Sequence, residues 1–210
     1  MAGKRSSDGY GMHKAEDNLS IRVMNYLIRP ARPEDAVFIG KCVCEAIGFE
    51  IFEKETDLNR EIAEWIAPLS AREGTLYSYQ NTLIAEIDGV VAGAFISYPG
   101  SYYHEWRNET FREHPYFKDL DMNAMPDEAG PGEYYLDTLA VLPPFRRQGI
   151  GSGLMKSRIA QVQQEYPNLR ITLLVDPENF NGQRIYSRLG FRIIDRNVIA
   201  FNHLYWKMER

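Results

Sequence analysis

The run Arg146-Arg147-Gln148-Gly149-Ile150-Gly151-Ser152-Gly153 gathers two guanidinium groups and three glycines in one short stretch. It follows an apolar strand candidate at residues 134–141 and the stiff Pro143-Pro144 pair, and it leads into a helical segment at residues 151–164. Strand, basic glycine-rich loop and helix in that order bring backbone N–H groups and a helix N-terminus to one point, which suits an anionic phosphate. Gly149 and Gly151 lack a Cβ, so a ligand can approach the main chain and the turn can take positive φ. Arg146 and Arg147 add positive charge there. A nucleotide-triphosphate loop would need Lys and then Ser or Thr after its last glycine, whereas Leu154 and Met155 follow here. The dinucleotide fingerprint spaces its glycines differently. Taken by itself, the run also fits a structural turn capped at Ser152.

A second segment narrows the choice. Asn179-Phe180-Asn181-Gly182-Gln183-Arg184-Ile185-Tyr186-Ser187-Arg188-Leu189-Gly190-Phe191 carries a spaced Asn, Tyr and Gly-Phe. Together the R-x-x-G-x-G run and this segment resemble the two cofactor motifs of the GCN5-related N-acetyltransferase (GNAT) superfamily. The second motif departs at Gly182, where the family usually has Ala, and at Ile185, where it has Leu; a helical Gly costs roughly 1 kcal/mol relative to Ala. The resemblance covers residues 134–191 well and the N-terminal half by element order only. On residue pattern alone Tyr186 equally fits a core aromatic, since Ile185 and Leu189 already define an apolar stripe.

The resemblance implies an α/β (or α+β) single-domain acetyltransferase fold: a mixed, twisted sheet of six to seven strands with helices on both faces. It also implies a splayed parallel strand pair at the site of acetyl-CoA, the cosubstrate. The backbone of Leu139, Ala140 and Val141 would pair with the pantetheine arm. The stretch from Arg146 and Arg147 through Gln148, Gly149, Ile150, Gly151 and Ser152 would hold the pyrophosphate, and Asn179 the pantetheine amide. Tyr186 matches the family's proton donor to the leaving thiolate.

Acetyl transfer to an amine needs a neutral nitrogen, yet an alkylamine with pKa near 10 is mostly protonated at pH 7. A carboxylate or ordered water must therefore take a proton. Strand alternation predicts Glu133, Tyr135 and Asp137 on one face, next to Leu139. Tyr135 is a poor base at neutral pH, so Asp137 is the first candidate and Glu133 the reserve; a strand-end carboxylate paired with Arg is the alternative for Asp137. Cys42 and Cys44 belong to neither motif, which favours direct transfer in a ternary complex. An acyl-CoA-binding regulatory protein without turnover, or an O-acyl or longer-acyl transferase, is the competing expectation.

These groups need a scaffold, and its elements are legible. Residues 1–23 are polar and aperiodic and read as a disordered extension, with the domain at residues 24–210. A strand is expected at 25–29, then a helix starting near Arg32-Pro33-Glu34-Asp35 with an apolar face of Val37, Ile39, Cys42, Val43 and Ile47. A second helix is expected at 57–67 with Ile62, Trp65 and Ile66 buried. Strands at 76–87 and 90–98 flank Asp88-Gly89, a strong hairpin signal. Residues 99–132 form a long aromatic and acidic insertion, helical at 104–113, whose expected role is a lid, a homodimer contact or substrate binding. Its acids Glu105, Glu109, Glu113, Asp119 and Asp121, joined by Glu45, Glu50 and Glu53, are candidates for a negative pocket that attracts a cationic acceptor, small molecule or peptide. Strands at 170–175, 191–197 and 203–208 and a helix at 183–189 complete the set.

Composition agrees with one globular enzyme domain: 210 residues, 44% apolar, 25% charged. A net charge of -5 argues against a nucleic-acid partner. No apolar stretch approaches the roughly 20 residues of a membrane span and no signal peptide opens the chain, so no membrane partner and a cytoplasmic location are expected. The two cysteines read as reduced thiols, and no metal site is evident.

Overall fold

The computed structural model describes residues 26–114, 117 and 119–210, so the expected extension at residues 1–23 lies outside the described residues. The chain runs β1 (Leu27–Pro30), α1 (Ala36–Cys44), α2 (Asp57–Ser70), β2 (Thr82–Ile87), β3 (Val90–Pro99), α3 (Tyr103–Phe111), β4 (Glu133–Val141), α4 (Ile150–Glu165), β5 (Arg170–Val175), α5 (Phe180–Arg188), β6 (Arg192–Ala200) and β7 (His203–Glu209). The seven strands form one sheet in the order β1-β2-β3-β4-β5-β7-β6, antiparallel except for β4 beside β5. Residues of α1, α2 and α3 pack on one face, around Ile39, Val43, Ile66 and Tyr103. On the other face α4 buries Ile150, Leu154, Met155 and Ile159, and α5 and its C-cap add Tyr186 and Leu189. Among the described residues no helix is long and apolar enough to cross a membrane.

Polar side chains fix the N-terminal half. Arg29 reaches both Asp35 oxygens at 2.8 and 2.9 Å and Glu86 at 2.8 Å, tying the start of α1 to β2. At α2, Thr56 Oγ1 accepts the Asn59 N–H while Asn59 Oδ1 accepts the Thr56 N–H, a reciprocal cap. The buried Asn59 amide also donates to the carbonyls of Phe49 and Lys54, so the same residue anchors the α1–α2 connection.

Several elements differ from expectation. The strand expected from residue 76 begins only at Thr82. The preceding stretch is held irregular by buried side chains: Asn81 donates to the carbonyls of Thr75 and Leu76, and Thr110 accepts the Leu76 N–H. Val37 and Ile47 are exposed, because α1 buries Ile39, Gly40, Cys42 and Val43, and because residues 45–49 widen into a π turn ending at Gly48 with φ 92°. In α2 only Ile66 of the expected three is fully buried, and the helix continues through Pro68 to Ser70. The Asp88-Gly89 turn is as expected, with φ 50° and 80°.

Two irregularities of β4 position the site. Ile96 pairs with Thr138 and Ser97 with Leu136, so Asp137 is an extra residue, a β-bulge. The bulge reverses the alternation: Tyr135 packs with the α1–α2 core, whereas Leu139 packs on the α4 side. Leu139 therefore does not share the face of Tyr135, contrary to simple period-two reading. Second, β4 and β5 pair only from Glu133↔Arg170 to Leu136↔Leu173, although β4 continues to Val141 and β5 to Val175. The parallel pair splays.

Gly40 is where α1 meets α2 most closely: a Cβ would lie 2.5 Å from the Ala63 carbonyl oxygen and 3.2 Å from the Ala67 nitrogen. Those are backbone atoms that cannot swing away. Gly40→Ala is expected to cost about 1–3 kcal/mol of stability. An unchanged urea midpoint would contradict this packing.

Candidate functional site

A cavity of about 570 Å³ opens where β4 and β5 diverge. Its walls include Leu139, Ala140 and Val141 of β4, Leu174 and Val175 of β5, Asn179 at the N-cap of α5, Ile185 and Tyr186 of α5, and Tyr205 of β7. The basic loop closes one end with Arg146, Arg147, Gly149, Ile150, Gly151 and Ser152. Of the residues expected at a cofactor, Gln148 is not in the wall; its amide turns back to the Pro144 carbonyl at 2.9 Å.

The loop is built from backbone. Arg147 and Gly149 both take left-handed φ, 61° and 82°, a rare conformation for an Arg and the kind that arranges successive N–H groups into a concavity. Gly149 is the N-cap of α4, three residues before the cap expected at Ser152. The first intrahelical bond is Gly153 N–H to Gly149 carbonyl at 2.8 Å, so the N–H groups of Ile150, Gly151 and Ser152 have no acceptor one turn back. The glycines serve different ends. A Cβ on Gly151 would stand 3.5 Å from Leu139 Cδ2 and 3.8 Å from Val141 Cγ2, against the cavity wall, whereas one on Gly153 would collide with the Tyr26 ring.

Arg146 departs from the expectation of a phosphate-facing charge. Its guanidinium donates to Glu53 at 2.5 Å, to Glu45 at 2.7 Å and to the Val141 carbonyl at 2.9 Å. Glu45 and Glu53 are thus matched by a cation. Glu50, Glu105, Glu113, Asp119 and Asp121 are exposed, and Glu109 pairs with Arg72 and Arg112.

Tyr186 is half-buried, edge-on to Phe191, and burial pushes its hydroxyl pKa up, so it stays protonated at neutral pH. Asn179 Oδ1 accepts the Gly182 N–H at 2.8 Å and caps α5. The space a Cβ at residue 182 would take is occupied by that amide, 2.8–3.0 Å away, which explains glycine where the motif has alanine. Asp137 is partnered by hydroxyls: Tyr98 donates to Oδ2 at 2.5 Å and Thr138 to Oδ1 at 3.0 Å. Among the described residues no Arg pairs with it. Burial raises its pKa, and the two hydroxyls oppose that rise. Glu133 lies at the closed end of the β4–β5 pair, bound by Lys207 at 2.7 Å and Arg170 at 3.2 Å; neither Glu133 nor Asp137 is part of the cavity wall.

Two residues that bear on the site carry no sequence signal. Tyr205 lines the wall from β7. Glu128, near the end of the insertion, accepts a hydrogen bond from the Tyr135 hydroxyl at 2.5 Å. Burial, and then the Asp137 charge, push its carboxyl up to about 7 against the hydroxyls of Tyr135 and Tyr103 and the charge of Arg107. Nothing in its local pattern separates it from the surface acids of the same segment.

The family model described as "Acetyltransferase (GNAT) family" matches residues 49–191. No curated protein matches the chain. Among solved structures, an acetyltransferase crystal structure superposes with TM-score 0.68 at 28% identity, over 88% of this chain and 98% of that one. An N-acetyltransferase from Staphylococcus aureus Mu50 superposes with TM-score 0.70 at 25% identity, over 88% and 100%. A PaiA N-acetyltransferase from Thermoplasma acidophilum, solved with coenzyme A, shares the fold at TM-score 0.52 and 15% identity, over 89% and 100%.

The Asn179 cap gives a prediction independent of any ligand. Asn179→Ala is expected to cost about 1 kcal/mol and to lower the melting temperature of the ligand-free chain. An unchanged melting temperature would show that the Gly182 contact contributes nothing.

Proposed function

This chain belongs to the acetyltransferase (GNAT) family, and we propose that it moves acetyl from acetyl-CoA to a primary amine by direct transfer in a ternary complex. The observation that carries this reading is the edge of β4 at Leu139–Val141, left unpaired by β5 and bonded only at the Val141 carbonyl by Arg146, which lines the cavity together with the N-terminus of α4. Backbone groups without a β5 partner suit the amides of a pantetheine arm. The capless first turn of α4 and the left-handed Arg147 and Gly149 suit its pyrophosphate. The chemistry supplied by bound acetyl-CoA is a thioester with a thiolate leaving group.

The chain's own groups divide the remaining work. Asp137 takes a proton from the amine, since a carboxyl raised by burial is a stronger base than a solvated one. A backbone N–H near Val141 stabilises the developing oxyanion. Tyr186, kept protonated by burial, donates to the departing sulfur. Glu133, fully engaged by Lys207 and Arg170, serves the sheet instead. Free thiol release from acetyl-CoA against polyamines, amino acids, aminoglycosides and peptide N-termini tests the reading. Acetyl-CoA binding without thiol release to any amine would contradict it.

Two substitutions separate the cofactor site from the chemistry. Gly151→Val directs its methyls into the cavity wall and is expected to weaken CoA binding at least tenfold, about 1.4 kcal/mol; unchanged calorimetric affinity would remove the loop from the cofactor site. Tyr186→Phe keeps the packing and is expected to lower kcat roughly 10²-fold with CoA affinity retained. Wild-type kcat in that variant would leave Tyr186 a packing residue.

A further inference from the structure

The insertion brings a second carboxylate to the tyrosine cluster that holds Asp137. Glu128 is fixed in two ways: its side chain accepts from Tyr135 at 2.5 Å, and Lys207 Nζ binds its backbone carbonyl at 3.1 Å. Between the two carboxylates stand three buried rings, Tyr98, Tyr103 and Tyr135, with centroids 6.0–6.4 Å apart. One end of this aromatic wall donates to Asp137 and the other to Glu128. Both acids are half-buried. Tyr205 links Glu128 to the cavity: it lines the wall and lies close enough to Glu128 for that charge to raise its hydroxyl pKa.

We propose that Glu128 and Asp137 form one proton-accepting pair that receives the ammonium group of a cationic primary amine. The proposal rests on the amine-transfer reading above. The ammonium gives one proton to the pair, and the neutral nitrogen forms the C–N bond as the C–S bond breaks. The electron pair of that bond stays on sulfur. The nitrogen's surplus proton reaches the sulfur by way of the Tyr186 hydroxyl, giving thiol and amide, and the proton on the pair leaves to water.

Electrostatics agree with shared duty. Burial disfavours the ionised form of both carboxyls, and the Asp137 charge adds to this at Glu128, so the two together hold a proton above the ordinary carboxylate range. The groups facing Glu128 are Asp137 and Tyr135 of β4, Tyr103 and Arg107 of α3, Tyr98 of β3, Tyr77, and Tyr205 and Lys207 of β7. Arg107 favours the ionised form, and its guanidinium is itself paired with Asp127 and three backbone carbonyls. The tyrosines stay neutral, held well above their ordinary value by burial.

The test is the acid limb of kcat/KM for one active amine, with acetyl-CoA affinity by calorimetry as the control for folding. The wild-type limb is expected above the ordinary carboxylate range. Glu128→Gln and Asp137→Asn each remove the like charge, so either should move the limb down toward the ordinary carboxylate range. Tyr135→Phe removes a bond that favours ionised Glu128 and should move the limb up; this variant carries the test if Glu128→Gln fails to fold. Opposite displacements are not produced by general loosening of the core. A limb that stays in place in Glu128→Gln or Tyr135→Phe, in a chain that transfers acetyl, overturns the role of Glu128 alone. Acetyl-CoA binding with no transfer by the wild type overturns the amine reading and this pair with it.

Discussion

The structure turns on β4 leaving β5 after Leu136. Parallel strands normally keep their ladder, because unpaired backbone N–H and C=O groups cost free energy when buried. Here the ladder stops at Leu136↔Leu173 while both strands continue, and the gap becomes the cavity rather than a filled core. Its far end is closed by the N-terminus of α4, which leaves backbone donors at the same opening. A single polypeptide edge thus presents strand-type donors and acceptors along its length and helix-type donors at its tip. The bulge at Asp137 belongs to the same device. By inserting one residue just where pairing is lost, it turns Leu139 and Val141 toward the α4 side and leaves the Asp137 carboxylate among the tyrosines of the opposite core.

Charge around this opening is held in place by partners. Arg146 bridges Glu45 and Glu53 across the α1–α2 connection and also caps the Val141 carbonyl, so the loop, the connection and the β4 edge are coupled through one guanidinium. Asn59 braces the same connection from inside. Arg107, fully buried, gathers the carbonyls of Met122, Met125 and Pro126 and the Asp127 carboxylate, which shapes the insertion just before Glu128. The described residues of the insertion therefore form part of the fold, with α3 packed into the α1–α2 core through Tyr103 and Phe111.

Much of this was legible in the sequence, and the misses have physical causes. Asp88-Gly89 announced its turn because both types tolerate positive φ; Phe201-Asn202 makes the equivalent turn with φ 47° and 61°, and Phe gives no such signal. The glycine loop and the Asn179 and Tyr186 positions stood out as spaced motifs, and the splayed pair was implied by the family those motifs resemble. The bulge did not, since a period-two pattern carries no mark of one inserted residue. Arg146 looked like a phosphate ligand because its partners lie about a hundred residues away in the chain. Glu128 resembled every other acid of its segment; only tertiary contact with Tyr135 and proximity to Asp137 set it apart.

The central claim is that the free β4 edge receives the pantetheine arm. Amide hydrogen exchange at Leu139, Ala140 and Val141, measured with and without CoA, addresses it directly. Those N–H groups among them that point away from β3 should exchange freely in the unliganded chain and become strongly protected by CoA, together with Gly151 and Ser152. Protection confined to the loop, with the β4 edge exchanging at the same rate in both states, would contradict the account.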